Sequence, residues 1–317
     1  MSEPPRTVFL DQNKWIDLAH AFENPKRDAR LYEIGCGLIE AIKSGRIQCP
    51  LTSGLLIETY RMSDDQHRMM IAEVQSILSQ GRVFRDRDFM IRHEIARLIR
   101  TEVDYDVPSP PEFWWMSKYF IEAFVDIPRA INHFGLQQDQ LNGISADPKF
   151  ALFHWISTAP EQERNVAMDS YEAGSRALIE RINLRIDRLK GQQFSLRQKV
   201  YSASLAIDEI DRILSVGMAN GLNWNSLSDI GPKRLKFIMR NVPAYHVETA
   251  LASRIEATGR SIKSNDLRDM ASYVSAIPNT DVLVGEKLFV NLAKQGGLGK
   301  QFGCELHSDI YKLEAVL

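Results

Sequence analysis

The chain lacks the features that would assign its class at a glance. Its 317 residues contain only three cysteines, Cys36, Cys49 and Cys304, far apart and without Cys-x-x-Cys or Cys/His ligand spacing. That excludes a disulfide framework and a structural zinc site. No apolar run approaches the roughly 20 residues of a membrane span, so no membrane partner is expected. The opening Met1-Ser2-Glu3-Pro4-Pro5-Arg6 has no basic leader followed by an apolar stretch, unlike a signal peptide, and the expectation is a cytoplasmic protein. Charge of one sign is lacking too: 39 Lys and Arg against 41 Asp and Glu leave −2. With no global pull on polyanions, any nucleic acid must be held by a local patch. Gly296-Gly297-Leu298-Gly299-Lys300 is the richest glycine run. It lacks Gly-x-x-x-x-Gly-Lys-Ser/Thr spacing and follows a helical pattern, so nucleotide triphosphate hydrolysis is excluded. The seven histidines are scattered, with no His-Glu-x-x-His pair.

What is present is the composition of a globular protein, 44 % hydrophobic and 25 % charged, which excludes wholesale disorder. The length suits one large domain, or two sharing a core. Thr7-Val8-Phe9-Leu10 is a short apolar strand that ends in Asp11, before a helix start at Asn13 to Ala19. A helix follows over Asp28 to Ser44, with Leu31, Ile34, Leu38, Ile39 and Ile42 at helical spacing and Gly45 as its stop. Ile47 to Leu51 reads as a second strand, and Thr52 and Ser53 as caps for a helix carrying Glu58. Strand, helices, strand and helix in this order start an α/β domain with a parallel sheet.

From about residue 85 to 244 helical periodicity takes over, with helices expected over Ile91–Arg100, Phe113–Phe124, Glu161–Lys190 and Leu196–Ala219. Pro108, Pro110 and Pro111 mark one joint, and Asp147-Pro148 another. The α/β pattern then returns: helices over Tyr245–Thr258 and Asn265–Ser275, a buried strand at Asp281–Val284, a helix at Phe289–Lys294 and an edge strand at Cys304–Leu306. The expected architecture is an α/β sheet assembled from both chain ends around a large helical insertion.

Acids recur at strand ends. Asp11 closes the first strand, where open parallel sheets place their sites. Glu58 lies in the helix after the second strand, Asp266 and Asp269 share a helix face, Asp281 opens the later strand and Glu286 follows its end. Singly, each has a structural reading: a cap, a surface helix residue, a helix N-terminus, an exposed turn. Jointly, gathered carboxylates repel one another unless a cation neutralises them. An all-oxygen set suits Mg²⁺ or Mn²⁺, which serve phosphodiester hydrolysis.

These segments resemble the motifs of PIN-domain nucleases: Val8-Phe9-Leu10-Asp11, Thr52-Ser53 with Glu58, Asn265 to Asp269, and Asp281 through Glu286 to Phe289. The resemblance covers residues 5–82 and 245–315. It implies a Rossmann-like PIN-type sandwich from residues 5–84 and 245–317, with 85–244 as the helical lobe. It further implies a divalent-metal-dependent endonuclease, usually acting on RNA. Asp11, Glu58 and Asp269 match the family's first three acids, with Asp266 an adjacent candidate. Glu286 stands where the family usually has Asp, and Asp281 resembles an extra acid of larger PIN-like proteins. The metal ligands implied are Asp11, Glu58, Asp266, Asp269, Asp281 and Glu286. A DNA-directed structure-specific nuclease and a non-catalytic binding module are the alternatives, and a stand-alone nuclease suits a toxin or phage-defence setting.

Three basic groups are candidates to hold RNA or single-stranded DNA: Arg82, Arg85, Arg87 and Arg92; Arg181, Arg185, Arg188, Lys190, Arg197 and Lys199; and Lys233, Arg234, Lys236 and Arg240. Taken one by one, such clusters are more often solvated faces paired with local acids, here Glu180, Asp187 and Asp211. Trp114, Trp115 and Tyr119 are candidates to stack bases, although aromatic residues at helical spacing usually belong to a core. The helical lobe has enough apolar periodicity for a homo-oligomer or regulatory-partner interface.

Overall fold

The computed structural model describes residues 4–102 and 110–317; Met1 to Glu3 and Pro108, named above, lie outside them. Strand β1 (Arg6–Leu10) is followed by α1 (Gln12–Glu23) and α2 (Ala29–Lys43), then β2 (Ile47–Gln48), α3 (Ser53–Tyr60) and α4 (Asp65–Ser79). The second strand is shorter than expected because Pro50 has no N–H to donate to a ladder. Instead Leu51 exchanges backbone bonds with the next segment, its N–H donating to Arg82 O and its O accepting from Phe84 N–H.

That segment is β3 (Val83–Phe84), followed by α5 (Arg87–Glu102). β3 pairs antiparallel with β4 (Met116–Ser117), so the helix expected over Phe113–Phe124 does not form. Phe113 has φ of 57°, a left-handed turn conformation that stops a helix there. A single 3₁₀ turn, Phe120–Ala123, is the helical part of that stretch. The middle continues through α6 (Ile127–Phe134), α7 (Gln138–Ala146), α8 (Pro148–Thr158), α9 (Glu161–Arg188), α10 (Phe194–Asp208), α11 (Ile210–Ala219) and α12 (Leu227–Asn241). The expected helix over Leu196–Ala219 is thus two helices, with Glu209 between them. Returning toward the sheet, α13 (Pro243–Ala257) and α14 (Ser264–Ala276) lead into β5 (Val282–Val284), α15 (Lys287–Gln295), α16 (Leu298–Phe302) and β6 (Glu305–His307).

The main sheet has the order β2-β1-β5-β6 and is parallel throughout. Its inner strands come from opposite ends of the chain, with Val8 beside Val282 and Leu10 beside Val284. Val8, Phe9, Leu10, Val282, Leu283 and Val284 are all fully buried, as strands covered on both faces must be. The protein is mostly helical around this small α/β sheet. One apolar cluster runs from the sheet through its flanking helices into the middle of the chain, from Leu10 and Leu283 to Leu152, Ile186 and Ile213. No helix among the described residues is long and apolar enough to cross a membrane.

Candidate active site

The site forms where β1 and β5 end. The backbone N–H of Asp11 donates to Val284 O at 3.0 Å, carrying the strand pairing one residue further and fixing where this acid stands. Its side chain accepts from Gln12 N–H at 2.8 Å, from Glu286 N–H at 3.0 Å and from the Tyr273 hydroxyl at 3.4 Å. Asp11 therefore caps α1 and also ties β1 to α14 and to the turn before α15. Burial pushes its carboxyl above the usual range, and those same hydrogen bonds oppose the rise.

Two glycines allow the helices to close around it. A Cβ on Gly285 would stand 1.9 Å from the Tyr273 hydroxyl oxygen, and one on Gly54 would stand 2.7 Å from Ser272 Oγ. Gly54 lets the first turn of α3 lie on α14, where Thr52 Oγ1 and Ser272 Oγ are 2.8 Å apart. Glu58, one turn further along α3, then meets Arg268 of α14, whose Nε donates to Glu58 Oε1 at 3.3 Å. Burial raises the Glu58 carboxyl, Arg268 lowers it and the Asp11 charge raises it further.

Asp269 is the acid under most strain. Burial comes first, and the charges of Asp11, Glu58, Glu286 and Asp266 add to it, pushing the carboxyl up to about 8. Glu286, immediately before α15, is also raised, by burial and then by Asp11 and Asp266. Asp266 differs in its bonding. It accepts from Lys263 N–H at 2.8 Å and from Arg260 Nη2 at 2.6 Å, so it is a cap neutralised by a cation. Asp11, Glu58, Asp266, Asp269 and Glu286 line one open cavity of about 820 Å³. Arg61, Arg260 and Lys263 stand on the same walls.

Asp281 is not brought to this cavity. It precedes β5 at the far end of the strand, about 10 Å from the Val284 end at some 3.3 Å per residue. There its carboxylate accepts from Thr7 N–H at 2.7 Å and its own N–H donates to Thr7 O at 2.9 Å. It clamps the start of the ladder, and it is withdrawn from the ligand set. The match that suggested it was to the strand, whose two ends carry acids on opposite sides of the sheet.

Tyr273 and Arg268 were not singled out by the sequence reading. Asp266, Asp269 and Tyr273 follow one another at steps of three and four on α14, so the face carrying the acids pointed to Tyr273 as well. Two of the basic groups are largely structural. Arg85 pairs with Glu122, Arg87 with Glu209 and Glu248, and Arg92 with Asp88. Arg181 pairs with Asp208 and Arg185 with the buried Glu256, while Arg197 is buried and donates to main-chain carbonyls. The tryptophans are packed too: Trp115 is buried against Phe84 at 5.0 Å, and Trp114 stacks on His93 at 4.2 Å.

Comparison of the chain with protein-family models, curated proteins and solved structures finds no match.

Proposed function

We propose that the protein is a divalent-metal-dependent endonuclease of PIN type, acting on RNA. The observation that carries this reading is the convergence of Asp11, Glu58, Asp269 and Glu286, from four elements at both ends of the chain, on the C-terminal edge of a parallel sheet. Carboxylates facing one cavity repel one another, and a structure that holds them there is built for a cation. The all-oxygen donors fit Mg²⁺ or Mn²⁺. As the side chains stand, no three His, Cys, Asp or Glu groups among the described residues are arranged to hold an ion, so capture entails side-chain rotation. When bound, such an ion supplies an acidified water and positive charge at the phosphate oxygens.

The chain's own residues would divide the remaining work. Asp11, Glu58, Asp269 and Glu286 would hold the ion. Tyr273 and the Glu286 N–H orient the Asp11 carboxylate, and Arg268 orients Glu58. Arg61 and Lys263 on the cavity wall would seat the phosphates flanking the scissile bond.

The test is cleavage of end-labelled RNA and single-stranded DNA with Mg²⁺, Mn²⁺ or chelator. Metal-dependent cutting of RNA is expected, with Asp11→Asn and Asp269→Asn slowed at least about a hundredfold, beyond the 10–100-fold typical of outer-shell changes. Preference for DNA would transfer the proposal to a DNA-directed nuclease. Absence of cutting together with absence of Mn²⁺ binding by calorimetry would make the protein a binding module and sink the enzymatic reading.

A further inference from the structure

Three residues of the third basic group stand apart from the ion pairs that largely consume the other two. Lys233, Lys236 and Arg240 lie on α12 beyond its break at Gly231-Pro232, at steps of three and four that put them on one face. All three are exposed, and none has an ion-pair partner among the described residues. They line a cavity of about 460 Å³ together with Phe237, Asn241, His246 and Gln301, and none of those residues carries a carboxylate. The acid cavity, by contrast, gathers five carboxylates, and the two share no lining residue.

Phe237 sits in the middle of this stripe and is 38 % exposed. The helix meets the core through Ile230, Ile238 and Met239, with Leu235 packed against it, whereas Phe237 is not part of that cluster. The floor is fixed from other elements. His246 of α13 and Gln301 of α16 line the cleft beside Arg240, and the His246 ring meets Phe302 of α16 edge-on at 6.1 Å. Along the helix axis the cations follow one another at about 4.5 and 6 Å. A line of cations interrupted by a partly exposed aromatic ring suits a single strand, whose phosphates take the charges while an unpaired base stacks on the ring. A duplex hides its bases, and an acidic peptide leaves the ring without a planar partner.

We propose that this cleft of α12, α13 and α16 is a second nucleic-acid contact, which anchors the phosphate backbone and one base of a single-stranded polynucleotide apart from the acid cavity. It rests on the nuclease reading only in making the anchored strand the substrate; the binding itself needs no catalysis. The probes are a fluorescein-labelled oligouridylate and an oligothymidylate of about twelve nucleotides, within the usual site sizes. Their anisotropy is followed with the full chain in EDTA at several salt concentrations. The two arms separate RNA from DNA as the source of the backbone, and tight binding of either supports the site.

Lys233→Ala/Lys236→Ala/Arg240→Ala is expected to weaken binding at least about tenfold and to reduce the salt slope by about 2, near 0.7 per phosphate for single strands. Phe237→Ala is expected to weaken it about fivefold or more at unchanged slope, and Asp269→Asn to retain it. The proposal fails if the triple variant binds like wild type, if neither probe binds at tens of micromolar, or if a blunt duplex or polyglutamate uses the same residues as tightly. Loss of metal-dependent cleavage with this binding intact would defeat the nuclease reading alone, so the two failures are distinguishable.

Discussion

Each acid of the candidate site is defined by what it touches. Asp11 accepts three hydrogen bonds and is buried, while Asp266 is neutralised by Arg260. Asp269 has no such relief among the described residues and faces its neighbours' charges. Replacing it by Asn should therefore stabilise the protein in chelator, by about 1–3 kcal/mol, as removal of functional strain commonly does. The same variant should lose the rise in melting temperature that Mn²⁺ gives the wild type by binding the folded state. Asp281 behaves oppositely. Asp281→Ala removes the acceptor for Thr7 N–H and should cost about 1 kcal/mol, while RNA cleavage stays within about twofold of wild type. Melting curves with and without Mn²⁺, read beside a cleavage assay, check all of this; an inactive but stable Asp281→Ala protein would return that residue to the site.

At the level of elements, the site depends on α14 lying close against both α3 and the turn after β5. Gly285 and Gly54 permit this closeness. Gly285→Ala should displace the Tyr273 ring, loosen Asp11 and destabilise the fold by about 1–3 kcal/mol, the usual cost of overpacking. Tyr273→Phe removes the hydroxyl that the new methyl meets, so the double variant should be less damaged than the sum of the singles. Urea unfolding of the four proteins measures that coupling, and strict additivity would refute the contact. The same elements indicate how much could be read in advance. The strand ending in Asp11 and the helix carrying Asp266 and Asp269 declare themselves by apolar runs and local spacing. The closed Phe113 turn, the break at Glu209 and the shortened second strand depend on a backbone angle, on where a helix stops and on a missing N–H, none of which alters hydrophobic period. The place of Asp281, by contrast, was legible: it opens its strand, and in a parallel sheet that end lies away from the one where Asp11 stands.

Across the whole molecule, buried charge joins the middle helices to the return of the chain. Arg87 of α5 donates to Glu209 between α10 and α11 at 3.0 Å and to Glu248 of α13 at 2.7 Å. Tyr201 and Tyr245 donate to those same acids at 2.9 and 2.8 Å. Glu94 lies on α5 as well, 5 % exposed, with Oε2 unpartnered and with the Ala244 backbone and the charges of Arg97 and Arg87 only partly offsetting its burial. Burial pushes its carboxyl up to about 7 from an ordinary 4.5. The folded state therefore holds this proton over a range where the unfolded chain has released it. By linkage, stability falls as pH rises from about 4.5 through about 7, and the full penalty stands above that. Glu94→Gln keeps the size and an acceptor oxygen of the side chain and removes the titration. It should leave stability near that of the wild type at pH 4.5 and raise it by on the order of 3 kcal/mol at pH 8. Thermal melts of the two full-length proteins across that range decide the point. A pH-independent difference between them would mean that Glu94 titrates in the folded protein as it does in the unfolded chain, and that the network around Arg87 offsets its burial.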